Sequence, residues 1–490
     1  MNSKIDRPDP RRWRALAVTL AAGFMSLLDV SIVNVALPSI QQSLGASTAG
    51  VQWVVSGYAL AFGLVLVSGG RLGDVLGRRR MFLFALSAFV LTSALAGSAV
   101  NETMLVVARL LQGMAAGMLT PQNTGLIQEL FSGAERGKAF GLFGTTVSLS
   151  TAVGPLIGGS IIAVFGAEDG WRWVFFVNVP IGALALVLAA RLLPRAPRRG
   201  SSLRSELDFV GIGLLGVAVL GVLFPLVQSD QGGLAAFWWM PVAAVPFGAA
   251  FVLWERRVVR RGGSPLLDVR LFTETPGYAT GAAIGAVYFA GFSGIWLVFA
   301  LFFQQGLGYT PLESGLIVTP FAIGAAVSAA VAGRLVARLG RRLTLLGLSL
   351  VTVGLTTVGI VVPMVSASMA GLAAAAPLLV AGVGGGMVIS PNTTLTLEQV
   401  PTRMAGVAGG ALQTGQRIGT AIGVAMLASM FHVGIDSAGG YLAGLRWAML
   451  SAVAMILVAL VLAVVDVRRR PGLSRTEQAQ AANTTPTPTE

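Results

Sequence analysis

The chain has 490 residues, of which 54% are hydrophobic and only 11% are charged, with a mean hydropathy of +0.77. Soluble domains carry roughly 25% charged residues, so a water-exposed globule is excluded. The absence of cysteine and the single histidine, His432, exclude disulfides, thiolate chemistry and an ordinary zinc site.

Apolar runs able to cross a bilayer, about 20 residues each, recur from end to end. The first, RRWRALAVTLAAGF, resembles the start of a signal peptide. Its apolar stretch continues to Leu37 without a small-residue cleavage site, so it reads as a retained span over 16–37. Further spans are expected at 51–70, 81–99, 104–126, 139–163, 173–190, 208–227, 236–254, 278–303, 314–333, 343–363, 371–394, 404–430 and 441–466. The Pro/Thr-rich tail RTEQAQAANTTPTPTE is expected to be disordered. An all-α polytopic fold with fourteen transmembrane helices follows.

The net charge of +13 is not spread evenly. Segments between spans alternate between rich and poor in Arg and Lys, and the rich set includes both ends of the chain. Cytoplasmic loops carry the positive charge, so both termini are expected in the cytoplasm and the span number is expected to be even. The basic balance therefore describes topology, and no nucleic-acid partner is expected. Lys is confined to Lys4 and Lys138 against an abundance of Arg, which suits a GC-rich bacterial genome, and hence a bacterial inner membrane.

The sequence also repeats. GMAAGMLTPQNTGLIQEL, from residue 113, aligns without a gap on GVGGGMVISPNTTLTLEQ, from residue 382, and the register continues through Gly137 on Gly406 and Gly154 on Gly423. GRLGDVLGRR (70–79) aligns on GRLVARLGRR (333–342). The expected organisation is one six-helix bundle in 1–200, two inserted helices with their linkers in 201–275, a second six-helix bundle in 276–470, and the tail 471–490. Paired bundles facing a midplane site are the architecture of secondary transporters. The repeat is chemically uneven: Asp74 becomes Ala337, Arg109 becomes Leu378 and Gln112 becomes Ala381.

Within the spans the ionisable residues stand out. A carboxylate at the centre of a spanning helix costs about 2.5–3.5 kcal/mol on insertion scales, and intramembrane charges are functional by default. The reading finds one aspartate and two arginines there: Asp29, Arg109 and Arg417. Asp29 lies about 12 Å and Arg109 about 8 Å from the same membrane face, at 1.5 Å per residue. The pair is either a structural ion pair or a proton carrier tuned by a guanidinium that does not deprotonate; the second reading is favoured. Arg417 either lines a cavity or pairs across the bundle interface.

These motifs resemble the major facilitator superfamily, and specifically its fourteen-span drug:proton antiporter branch. LLDVSIVNVALP (27–38), WVVSGYAL (53–60), the loop GRLGDVLGRRR (70–80), ARLLQGMAAG (108–117), GPLIGG (154–159) and WRWVFFVNVPIG (171–182) match its pattern in order across the first half. The resemblance implies proton coupling through Asp29 and Arg109. It implies a conformational latch of Gly70, Asp74, Gly77 and Arg78, with Glu129 as acidic partner. It also implies an exporter motif of Gly154, Pro155, Gly158 and Gly159.

Asn34, Trp53, Tyr58, Gln112, Asn123, Gln304, Gln413 and Arg417 are the candidate substrate-cavity residues. Polar and aromatic groups of this kind suit amphipathic, often cationic, organic compounds. The expected function is export of a small organic compound in exchange for protons by a monomer in the lipid bilayer, with no cofactor, no metal and no catalytic constellation. A proton- or sodium-coupled importer and a non-transporting sensor are the competing readings. No G-x-x-x-x-G-K-[ST] loop is present, so direct ATP drive is not expected.

Overall fold

The computed structural model describes residues 11–166, 168–195, 207–228, 232–438 and 440–469, which are helical with no strand. The tail 471–490 lies outside the described residues. Among the described residues, twelve helices are long and apolar enough to cross a membrane. Two of the expected spans, 139–163 and 236–254, fall on helices outside that set. The first contributes only the shorter apolar stretch Leu156–Phe165, and the second carries prolines and charged residues at its end.

The first half comprises α1 (Arg12–Leu44), α2 (Thr48–Leu76), α3 (Arg78–Gly97), α4 (Glu102–Leu130), α5 (Gly133–Phe165), α6 (Gly170–Phe176) and α7 (Asn178–Leu192). The inserted pair is α8 (Phe209–Val227) and α9 (Trp239–Arg260). The second half begins with α10 (Tyr278–Phe292) and α11 (Ile295–Ala300), which run into a π-helical turn at Leu301–Gly306. It continues through α12 (Pro311–Leu339), α13 (Arg341–Val361), α14 (Ala367–Leu397), α15 (Ala405–Ala438) and α16 (Tyr441–Arg469).

Short polar caps set the helix starts. Ser47 accepts from the Gly50 N–H at 3.0 Å and Asn101 from the Met104 N–H at 2.9 Å, each relieving an orphan donor of the first turn. Thr310 and Glu313 form a reciprocal capping box at α12. Gly77, at φ +92°, is the left-handed joint between α2 and α3. A side chain there would be strained, which explains a glycine immediately before the arginine run.

Two seams join the halves, and the internal repeat relates them. On one, a Cβ at Gly70 would lie 2.3 Å from the Gly406 carbonyl oxygen. On the other, a Cβ at Gly137 would lie 2.6 Å from the Gly333 carbonyl oxygen. Gly70 aligns with Gly333 and Gly137 with Gly406, so one contact is the image of the other under the pseudo-two-fold. Packing of this closeness requires glycine on both sides.

Hydrophobic packing shared by both halves gathers at the Arg-rich face, where Leu16, Phe131 and Phe140 meet Leu397, Val400 and Val407. Away from that face the cores separate: Phe82, Phe89 and Met25 belong to the first bundle alone, and Tyr288, Phe299 and Leu355 to the second alone. The inserted pair covers one seam from outside, with Leu223 of α8 against Leu60 of α2 and Ile418 of α15.

Candidate functional site

Asp29 is on α1, facing α4 and α7. Its side chain and that of Arg109 are 0% and 1% exposed, and the two form an ion pair through Oδ2 and Nη1. The other carboxylate oxygen, Oδ1, accepts from Gln112 Nε2 at 3.1 Å and from Asn178 Nδ2 at 3.0 Å. Arg109 also donates to the Val54 carbonyl at 2.9 Å and to Gln112 Oε1 at 2.8 Å, and its guanidinium lies 4.2 Å above the Tyr58 ring. The Tyr58 hydroxyl donates back to α1, at the Ser26 carbonyl, 3.0 Å away.

Arg109 and Gln112, three apart on α4, share one face. Depth along each helix, read from the sequence, gives Asp29 and Arg109 a similar height in the membrane. A buried charge is tolerated when paired and hydrogen-bonded, and the carboxylate here has three donors. Removing one partner of such a pair typically costs about 3–5 kcal/mol, because the other charge is left uncompensated.

Asn178 is the member that sequence reasoning missed. It is the first residue of α7, after a break in the helix at Val177, and it also donates to Ser93 Oγ at 3.1 Å. The signal was a lone amide in an apolar run two residues before Pro180. A hydrogen bond to a charged group contributes about 1.5–3 kcal/mol. Asn178→Ala is accordingly expected to lower transport by roughly tenfold or more, and to lower the unfolding temperature of the purified protein. Parallel transport and thermal-melting assays check both.

Gly154 and Gly158 sit immediately beside this cluster. A Cβ at Gly154 would lie 1.9 Å from Ser31 Oγ, and one at Gly158 would lie 2.9 Å from the Ile32 carbonyl. These glycines let α5 lie against α1 two and three residues beyond Asp29. A Cβ at Gly159 meets nothing within 4 Å. Pro155 lies within the same stretch of α5.

At the Arg-rich face, Asp74 crosses the seam. Its Oδ1 and Oδ2 accept from the N–H groups of Gly406 at 3.0 Å and Val407 at 2.9 Å, at the start of α15. These are orphan donors at the positive end of the helix. Arg78 donates to Asp74 at 2.9 Å, to the Thr402 carbonyl, and pairs with Glu129 at 3.2 Å. Gly70 supplies the backbone approach described above. The image of this arrangement on the second seam has Ala337 in place of Asp74, so the carboxylate crosses one seam and not the other. Asp74→Ala is expected to cut turnover about tenfold, equivalent to ~1.4 kcal/mol, while leaving substrate affinity near wild type. Transport rates measured against substrate concentration check this.

The residue model of the Major Facilitator Superfamily matches residues 19–424, and matches again over 282–489. The chain is a member of the major facilitator superfamily. It is a membrane transporter and not an enzyme. Among its relatives within the superfamily are a probable actinorhodin transporter of Streptomyces coelicolor, 36% identical over 86% of this chain and 73% of that protein, and the puromycin resistance protein pur8 of Streptomyces alboniger, 36% identical over 86% and 82%. The tetracenomycin C resistance and export protein of Streptomyces glaucescens is 32% identical over 85% and 75%. The fold matches that of the human organic anion transporter MFSD10, with a TM-score of 0.68 at 17% identity over 93% of this chain and 100% of that one. It also matches the proton:xylose symporter XylE, at 0.64 and 16% over 92% and 95%.

Within this superfamily member the candidate cavity residues are dispersed. Tyr58 and Gln112 belong to the Asp29 cluster. Trp53 turns outward against Phe224 of the inserted α8, with ring centroids 6.0 Å apart. Asn34 is exposed, and Gln304 is half-buried within the π-helical turn. Asn123 is buried with neither amide atom hydrogen-bonded, and a Cβ at Gly23 would lie 2.7 Å from its Nδ2. Gln413 and Arg417 lie one turn apart on α15, and the Arg417 guanidinium is 4.4 Å from the Phe62 centroid.

The expectation of a single aspartate within the spans needs correction. Asp466, near the end of α16, is buried, pairs with Arg341 at 2.9 Å and accepts from Thr280 at 2.7 Å. Arg341 also donates to Asn392. Arg341 is the repeat counterpart of Arg78, and its local partner holds it within the second bundle.

Proposed function

We propose that this transporter exports small organic compounds, such as drugs or secondary metabolites, across a bacterial inner membrane in exchange for protons. The proposal includes fourteen spans, counting α5 and α9, with the Arg-rich face and both termini in the cytoplasm. The observation that carries the reading is the Asp29 carboxylate, held out of water by Arg109, Gln112 and Asn178. The names of the relatives support the outward direction, since one is an export protein and others are resistance proteins.

In this reading a proton from the outside neutralises Asp29 and releases Arg109. The α1–α5 contact at Ser31, Ile32, Gly154 and Gly158 then shifts, and the Asp74 latch at the start of α15 opens the cytoplasmic face. Loss of the proton to the cytoplasm, on substrate binding, re-forms the pair and resets the latch. The membrane potential contributes about 2.3 kcal/mol per charge per 100 mV to the inward step.

The test is a broad toxicity panel in a pump-deficient bacterial host, combined with dye accumulation in everted membrane vesicles energised by a proton gradient. Export predicts raised resistance to some compounds and inward accumulation in everted vesicles that collapses with a protonophore. Substrate accumulation in intact cells would instead favour an importer.

A further inference from the structure

We propose that Asp208 and Glu255, at the Arg-rich end of the inserted pair, form a proton-binding site that fastens the linker 261–271 over the Asp74 latch. Asp208 caps α8, accepting from the Gly211 N–H at 2.8 Å, and its two oxygens take the Trp254 indole N–H at 3.0 and 2.8 Å. Glu255 follows Trp254 in α9, one position beyond the expected span 236–254, and is fully buried. The two carboxylates crowd one point. A Cβ at Gly211 would lie 2.6 Å from Asp208 Oδ2 and 2.7 Å from Glu255 Oε1.

The donors are divided unequally between them. Asp208 has donors on both oxygens, whereas Glu255 Oε1 accepts from the Leu266 N–H at 3.2 Å and Oε2 makes no hydrogen bond among the described residues. A buried, ionised oxygen without a donor is costly, and a proton removes that cost. Burial first, and Asp208 second, push the Glu255 carboxyl up to about 8, against the pull of the nearby linker N–H groups and of Arg71. Asp208 from α8 and Arg71 from α2 are the charged groups that face it, while Asp268 and Arg270 of the linker pair with each other at 2.8 Å.

The linker ties this site to the latch. Leu266, held by Glu255, packs with Leu267 and Leu271 in the same core as Val407, whose N–H is donated to Asp74. Linker residues 262–266 wall a cavity of about 380 Å³ whose other side includes Arg71, Asp74, Met404 and Val407. When the linker lifts, Glu255 meets water and its carboxyl returns to the ordinary value of 4.5, so its proton leaves. The fastened linker thus binds more protons than the lifted one. Fastening is complete below that ordinary value and is lost progressively as pH rises to about 8. In the export reading above, on which only this last step rests, an acidified cytoplasm holds the latch closed and slows further proton entry.

Hydrogen exchange of the purified full chain reads the linker directly. In wild type, protection of the amides in 261–271, corrected for the intrinsic pH dependence of exchange, should fall at least about tenfold between about pH 6 and about pH 8. Glu255→Gln keeps an acceptor for Leu266 and does not ionise, so its protection should be independent of pH. Asp208→Asn keeps the cap and removes the neighbouring charge, so the fall should shrink. Melting of both variants controls for folding. A flat wild-type profile, or the wild-type fall persisting in folded Glu255→Gln, would overturn the proton site. Transport in proteoliposomes tests the hold on the latch: relative to wild type, Glu255→Gln should slow turnover at least about tenfold more at about pH 8 than at about pH 6 on the Arg-rich side. An equal ratio at both pH values would overturn that hold. If wild type transports no compound, the export reading fails, and the exchange profiles still decide the proton site.

Discussion

Asp29→Asn is expected to abolish proton-driven transport while the protein still reaches the membrane in normal amount. The substitution keeps the size of the side chain and part of its hydrogen bonding to Gln112 and Asn178, but it removes the carboxylate paired with Arg109. Arg109 does not deprotonate, so its charge stays in the bundle without a partner at a cost of about 3–5 kcal/mol. An amide also has no proton to exchange at physiological pH. The variant thus resembles a carrier fixed in the neutral form. Exchange of substrate for substrate, which needs no net proton movement, is expected to survive in part, whereas accumulation against a gradient is lost. Accumulation in everted vesicles, with counterflow in the same preparation, separates the two. Wild-type accumulation by this variant would contradict the role of Asp29.

The second large effect concerns backbone rather than charge. Gly70→Ala places a Cβ 2.3 Å from the Gly406 carbonyl oxygen, 2.6 Å from its carbon and 2.9 Å from the Val407 nitrogen. None of these atoms ends a flexible side chain, so α2 and α15 must separate. The separation also lengthens the hydrogen bonds from Gly406 and Val407 to Asp74, and the latch is lost together with the packing. Overpacking of this kind costs about 1–3 kcal/mol, which corresponds to roughly 5–150-fold in the closed–open equilibrium. Transport should fall by a comparable factor, and cysteine pairs placed across the Arg-rich face should cross-link less. Gly159→Ala, whose Cβ meets nothing within 4 Å, is the control expected to behave like wild type.

Much of the architecture was readable in the sequence because the bilayer constrains it so strongly. Long apolar runs, a basic alternation between them and the alignment of Gly70 on Gly333 and Gly137 on Gly406 anticipated paired bundles. Depth arithmetic gave Asp29 and Arg109 a similar height, since helix rise is fixed and the first and fourth spans share the same membrane coordinate.

Rotation about each helix axis was far less readable. A spanning helix is apolar on most of its surface, so sequence periodicity does not say which face meets a neighbour. Trp53 therefore read as a cavity residue, and it instead packs on Phe224 of the inserted pair. Asn178 was passed over because an amide in an apolar run looks like any interhelical hydrogen bond until its partner is known. Asp466 lay at a span boundary, where carboxylates are ordinarily solvated, and only tertiary packing shows that Arg341 buries it.

The central claim is that Asp29 carries the exchanged proton, and substrate-induced proton release tests it most directly. Purified wild-type protein in weakly buffered detergent solution should release protons in proportion to transporter when a transported compound binds, as the Arg109 pair re-forms. Asp29→Asn should release none while still binding the compound. Equal release from both proteins, or binding to wild type with no release at any pH where transport occurs, would contradict the account.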